Sequence, residues 1–157
     1  MLDKINNLIS QYRIQVETMR NNLKQEMLNM FKELFSQTPE LKAIKWVQYT
    51  PYFNDGDVCT FRVCAPVFTN AEGDDLDNVH EYEYDGGVVN IWIYNSGYFD
   101  SHKMIQEYPN HLRDRFKMVD KLLTSHDMKD ILLASFGDHA EVTVTADKIL
   151  VSEYEHD

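Results

Sequence analysis

The sequence predicts an α+β fold: a long N-terminal helix packed on a mostly antiparallel sheet of about six strands in three hairpins, with two further helices before the last hairpin. Three observations predict it. Apolar residues recur at the helical period through the first 35 positions, with no Gly or Pro among them. Short alternating runs follow, bounded by Pro, Asn, Asp and Gly. The order helix, strands, helices, strands belongs to an α+β layer with neighbouring strands antiparallel. The 157 residues suit a single domain, 1–157, with a real core. With 8 Phe, 9 Tyr and 2 Trp, the chain is not a disordered one.

The first element is marked by Ile5, Leu8, Tyr12, Val16, Met19, Leu23, Met27, Met30 and Leu34, whose steps of 3, 4, 4, 3, 4, 4, 3 and 4 average close to 3.6. Leu28, Phe31 and Phe35 broaden the stripe at its end, so one helix is expected from about 3 to 35. At about 1.5 Å per residue it is roughly 50 Å long. The 3-4-4 pattern is an eleven-residue repeat, which favours a straight or slightly right-handed seam over a seven-residue coiled coil. Five strands about 4.8 Å apart span only some 24 Å. Half of the helix is therefore expected to overhang its sheet, which calls for a homodimer or a protein partner along the long helix.

Thr38-Pro39-Glu40 reads as a helix start, with any helix there short because Ile44–Tyr49 follows as a strand. Residues 51–57 form a loop, and Val58–Val63, continuing towards Phe68, completes a hairpin with a long tip. Asn70–Asp85 holds seven acids and no base, so its first half is a solvated loop. Val79–Tyr84, the turn Asp85-Gly86-Gly87 and Val88–Tyr94 give the clearest hairpin signal. After Pro109, Leu112, Phe116, Val119 and Leu123 mark a helix. A shorter helix runs from Ser125 or His126 to Phe136 and is closed by Gly137. Ala140–Ala146 and Ile149–Tyr154 form the last hairpin around Asp147-Lys148.

Charge narrows the function. With 26 acids against 15 bases the net charge is −11, which argues against a nucleic-acid backbone as partner. Residues 1–45 carry seven bases and five acids, hence +2, and the remainder carries eight bases and 21 acids, hence −13. No apolar run approaches the roughly 18 residues of a membrane span. The first residues lack the pattern of a secretory leader, and two cysteines make no disulfide framework, which fits a reducing cytoplasm. Phosphate-cradling, dinucleotide, nucleophile-elbow and zinc-protease motifs are all missing, so no catalytic residue, cofactor or metal is assigned and a non-enzymatic role is expected.

Four groups of side chains could still carry chemistry. Cys59 and Cys64, an odd number apart, point to opposite faces of one continuous strand and read as small buried hydrophobes. With Asp147-Lys148 as a two-residue turn, Glu141 faces Tyr154 and His139 faces His156. That quartet could move a proton or bind a metal, but a solvated hairpin face near a terminus is the plainer explanation. The acids of Asp55-x-Asp57 and Asp74-Asp75-x-Asp77 do not fit a twelve-residue calcium loop, and turn formation and solvation account for them. Aromatics crowd two strand ends, Trp46, Tyr49, Tyr52 and Phe53 at one and Trp92, Tyr94, Tyr98 and Phe99 at the other. A flat, nucleotide-like ligand could stack there, with Trp46, Tyr49, Tyr52, Asn54, Asp55, Asp57, Trp92 and Tyr94 as its site, while core packing is the plainer explanation.

The segment from Lys45 to Phe61, KWVQYTPYFNDGDVCTF, resembles a family of small uncharacterised proteins of bacteria and their phages that carry W-x-Q-Y-T-P-Y-F-N-D-G-D-x-C-x-F. Phe136–Thr145 and the closing Tyr154-Glu155-His156-Asp157 are similar to theirs as well. The last turn of that family is usually Asp-Gly; Lys148 departs from it and, at positive φ, would strain the turn. The resemblance implies a bacterial cytoplasm, or a host cytoplasm if phage-encoded, and brings no activity. The function expected is therefore an acidic interaction protein that binds another protein, such as a phage or bacterial modulator of a host or defence factor. Val16, Met19, Leu23, Met27 and Met30 would form one contact surface and the acids of Glu72–Asp85 the other. The alternative is a small-ligand binding or sequestering protein.

Overall fold

The computed structural model describes residues 1–77, 93–95 and 110–156. Helix α1 runs over Leu2–Gln37, two residues longer than expected at its C-terminal end. Thr38 closes it, its amide donating to Phe35 O, while its own carbonyl accepts from the Leu41 amide at 3.0 Å. The start signal at Thr38-Pro39-Glu40 is thus corrected to a stop. Pro39 follows a helix end, where its missing N–H and fixed φ prevent continuation.

Strand β1 (Ala43–Tyr49) lies at the centre of the sheet. The order is β4 (Ile93–Asn95), β3 (Val67–Thr69), β1, β5 (Ala140–Val144), β6 (Ile149–Glu153), with the two-residue β2 (Arg62–Val63) pairing the far end of β1. Every one of these pairs is antiparallel. The single strand expected from Val58 towards Phe68 is instead two short ones. Gln48 pairs with Val63, but Lys45 pairs with Val67, so the returning chain carries one extra residue between them. Pro66, which has no N–H for a ladder, sits in that bulge. Upstream of β2 the chain leaves the sheet and Val58 is exposed. The expected hairpin Val79–Tyr84/Val88–Tyr94 lies outside the described residues except for β4.

The short α2 spans Asp74–Asp77, α3 spans Arg113–Leu123 and α4 spans Lys129–Phe136, the last two each preceded by a 3-10 turn. Leu112, Phe116, Val119 and Leu123 are buried, as their spacing predicts. Gly137, at φ 87 and ψ 174, ends α4 in a conformation open essentially to glycine alone.

The core lies on one face of the sheet. Met27, Phe31, Leu34 and Phe35 of α1 pack with α3 and α4 onto Ile44, Trp46, Phe68, Val142 and Val144. Trp46 stands between Phe31 and Phe136, with ring centroids at 6.1 and 5.6 Å, and Phe68 stacks on Phe116 at 4.3 Å. Gln48, also fully buried, accepts from Trp46 Nε1 and donates Nε2 to the carbonyls of Leu132 and Gly137 at 3.0 and 2.6 Å. One side chain thereby joins β1, α4 and the turn into β5. On the opposite face buried Lys45 donates to Leu76 O at 3.2 Å and pairs with Glu141 at 3.3 Å.

The last hairpin differs from expectation in register. Its loop has four residues, Thr145–Lys148, closed by the Thr145 amide donating to Lys148 O at 2.9 Å. Glu141 therefore faces Ser152 rather than Tyr154. Among the described residues the non-glycine positive φ values fall at Asp55 and His139, so Lys148 carries no such strain.

Candidate functional site

Among the described residues, two places offer surface for recognition. The first is the overhang of α1. Residues 1–19 are all exposed, and the stripe along them is apolar: Ile5, Leu8, Ile9, Tyr12, Val16, Met19 and Leu23 all face solvent. Of the five residues expected to contact a partner, Val16, Met19 and Leu23 lie on this projecting part at 37, 59 and 42% exposure. Met30 is half-buried and lines a groove of about 400 Å³ between α1 and α3, with Arg115, Met118 and Leu122 opposite. Met27 is corrected: at 3% exposure it belongs to the core, because the stripe turns onto the sheet between Leu23 and Met27. The other expected surface, the acids of Glu72–Asp85, lies largely outside the described residues; Glu72 pairs with Lys42 at 3.2 Å.

The second place is the end of the sheet opposite α2, on the face turned away from the core. Extending the observed registers puts Tyr49 beside His139 and His139 beside Tyr154, where the Tyr154 amide donates to His139 O at 2.7 Å. His156 folds over this row and Tyr52 caps it from the first hairpin tip. Tyr52 stacks on both imidazoles, with centroids at 5.0 and 4.4 Å, and Tyr49 lies 4.1 Å from His156. His139 Nδ1 and His156 Nε2 are 2.8 Å apart, so one donates and the other accepts. Arg62, opposite Tyr49 in the ladder, lies with its guanidinium over that ring, 4.5 Å from its centre, and donates to the Tyr49 hydroxyl.

Asp138 ties the two sides of this cluster together. Its carboxylate accepts from the Thr50 amide and hydroxyl, both at 2.7 Å, and from the His139 amide at 2.8 Å. Burial raises its pKa, but the Thr50 and His139 donors outweigh that and hold the carboxyl below the ordinary range. A depressed acid stabilises the fold above its unfolded pKa, near 3.9, and loses that contribution as pH falls through the lower folded value. Asp138→Ala is expected to cost about 1 kcal/mol at neutral pH, since solvent reaches over a third of the side chain. Urea unfolding at pH 7 and pH 3 checks this: the difference between wild type and variant should shrink at the lower pH.

The eight residues expected to bind a flat ligand do not form one site. Tyr49 and Tyr52 meet, but Trp46 is on the core face. It stands three positions before Tyr49 along one strand, and an odd step reverses the side. Asn54, Asp55 and Asp57 shape the exposed tip, the Asp57 amide donating to Asn54 O at 2.8 Å and Asp55 adopting φ 44. Trp92 lies outside the described residues, as do Tyr98 and Phe99; the Tyr94 backbone pairs with Phe68 in β4. The expected cross-strand pairing of His139 with His156 is corrected: the register sets His139 beside Tyr154, His156 reaches it by folding over the row, and Glu141 leaves the quartet for Lys45. Arg62, Thr50 and Asp138 were not singled out, and only the ladder registers would have placed them. Cys59 and Cys64 are free thiols, each half-buried rather than buried; burial pushes Cys64 up, with Arg62 partly offsetting it.

Among the described residues no group of three or more His, Cys, Asp or Glu side chains is placed to hold a metal ion, and no helix is long and apolar enough to cross a membrane. Fold and surface together define an α+β body carrying a projecting amphipathic helix. Set beside known proteins, the chain matches no family model, no curated protein and no solved structure.

Proposed function

We propose that this is a non-enzymatic interaction protein that docks onto another polypeptide through the projecting part of α1. The observation that supports it is the stretch 1–19, every residue of which is exposed, with a continuous apolar stripe that reaches no part of its own core. An exposed apolar surface of this extent marks a recognition site. The helix itself argues the same way. Asn6, Asn7, Ser10, Asn21 and Asn22 are poor helix formers, and most helical stability in proteins comes from packing an amphipathic face. A role as modulator of a host or defence factor is consistent with this design.

Replacing both Met19 and Leu23 by Glu is expected to abolish association and leave the body folded, because neither side chain touches the core. Sedimentation, together with the melting temperature of the variant, checks it. Wild-type protein should sediment above its 18.5 kDa chain mass or carry a stoichiometric polypeptide, and the variant should do neither. Identical behaviour of the two folded proteins contradicts the reading.

A second reading, a small planar ligand, draws on the Tyr49–Tyr52–His139–His156 stack and the cation of Arg62 beside it. It predicts a thermal shift with nucleotides or cyclic nucleotides that Tyr52→Ala removes. No shift across such a panel contradicts it.

A further inference from the structure

The overhang carries a seam that the eleven-residue reading of the stripe passed over. With Ile9 in place of Leu8, the exposed apolar residues are Leu2, Ile5, Ile9, Tyr12, Val16, Met19 and Leu23, at steps of 3, 4, 3, 4, 3 and 4. This is a strict seven-residue pattern over three repeats, the spacing at which two helices can keep one seam in mutual contact. It stops where the body begins, because the next position of the pattern after Leu23 is Glu26.

From Ile5 to Leu23 the steps read 4, 3, 4, 3, 4 in either direction. A two-fold axis needs a surface that complements itself, and this one does when the second helix runs the opposite way. The layers are then Ile5 with Leu23, Ile9 with Met19, and Tyr12 with Val16, a large ring against a small branched side chain. We infer that two copies of this chain associate through an antiparallel helix pair over residues 2–23, an inference that rests on the interaction reading above and names its partner.

Three further observations select this occupant and direction. The first is steric. Met27, Phe31 and Leu34 succeed Leu23 at helical spacing, so the body sits on the same side of α1 as the seam. Parallel helices with facing seams would drive the two bodies into one another, whereas antiparallel ones end each overhang at the other's body.

The second is charge. Residues 1–26 hold four bases and three acids, nearly neutral, while residues 46–157 carry −13. Antiparallel pairing sets the two acidic bodies about 30 Å apart along the helices, several Debye lengths of about 8 Å at physiological salt. The seam's flanks, Asn6, Arg13, Arg20, Leu8, Gln15 and Asn22, hold no acid that would favour another register, and Arg20 is tied to Glu17 of its own helix at 3.0 Å. The two Arg13 side chains approach near the axis, with Glu17 one turn away.

The third is area. Burying a large aliphatic side chain removes roughly 60–120 Å² of apolar surface, taken from about 1.5–3 kcal/mol at about 25 cal/mol/Å². The six residues of these layers and the flanking Leu8 thus supply roughly 400–850 Å² per copy, reaching the about 800 Å² a side of a standard interface.

The test uses the full chain. Sedimentation equilibrium across a concentration series should give about twice 18.5 kDa for wild type, and one chain mass for Met19→Glu/Leu23→Glu with its melting temperature unchanged. For direction, Ile9→Cys and Met19→Cys are prepared singly and mixed under mild oxidation. Peptide mapping distinguishes their bridges from any through Cys59 or Cys64. Antiparallel pairing predicts a 9-to-19 bridge in the mixture and no 9-to-9 bridge in the first variant alone.

A 9-to-9 bridge overturns the direction, and a dimer indifferent to the two glutamates overturns the interface. A wild-type chain that stays monomeric throughout overturns the inference. If that monomer still binds a different polypeptide and the double variant does not, the interaction reading survives it; if neither binds, both fail.

Discussion

Gln48→Leu is expected to lower the unfolding free energy by about 3–5 kcal/mol, because it orphans three buried groups at once at about 1–3 kcal/mol each before relaxation. Those groups are the Trp46 indole N–H and the carbonyls of Leu132 and Gly137. Leucine keeps most of the volume, so the loss is of hydrogen bonds rather than packing. Urea unfolding measures it, and a cost below about 1 kcal/mol would mean that water satisfies these groups after all. The effect should also reach the ring cluster, since Gly137 opens the turn that positions Asp138 and His139. Weaker protection of the Thr50 amide from exchange in the variant would register that coupling.

Phe31→Ala is the second large effect, expected at about 3–5 kcal/mol for a fully buried aromatic. Phe31 is 2% exposed and stacks on Trp46, and it is one of only a few α1 side chains in the core. The helix is held by Met27, Phe31, Leu34 and Phe35, all within its last third. Losing the central one creates a cavity against β1 and loosens the anchor of the whole projection. The expected signature is a lower denaturation midpoint together with reduced association. The glutamate substitutions at Met19 and Leu23 differ in reducing association alone. A Phe31→Ala protein as stable as wild type would contradict the placement of α1 on the sheet.

Much of this architecture was legible where one period dominates. The α1 stripe, the burial of Leu112, Phe116, Val119 and Leu123, and the Gly137 stop follow from spacing and backbone freedom, which act locally. The overhang was legible too, from helix length against sheet width. What escaped was set by pairing. Pro66 and a one-residue bulge split the second strand, and a four-residue loop shifted the last hairpin by two. Trp46 and Tyr49 were assigned to one site although an odd separation on a strand divides them. The Thr50–Asp138 contact joins residues 88 apart, which only the β1–β5 register brings together. Within α1, the choice between Leu8 and Ile9 decides between an eleven- and a seven-residue repeat, and both fit helical spacing equally well. Exposure of the whole stretch left the shorter period as the one with a self-complementary seam.

The central claim is that the projecting part of α1 is a surface made to be covered. Hydrogen exchange along α1 in the full chain, followed over a dilution series, tests it most directly. Amides of residues 5–23 should be protected at high concentration, approaching those of residues 27–35. They should lose that protection on dilution and in Met19→Glu/Leu23→Glu, while residues 27–35 keep theirs. Exchange of residues 5–23 at the same rate at every concentration, in wild type and variant alike, would contradict the account.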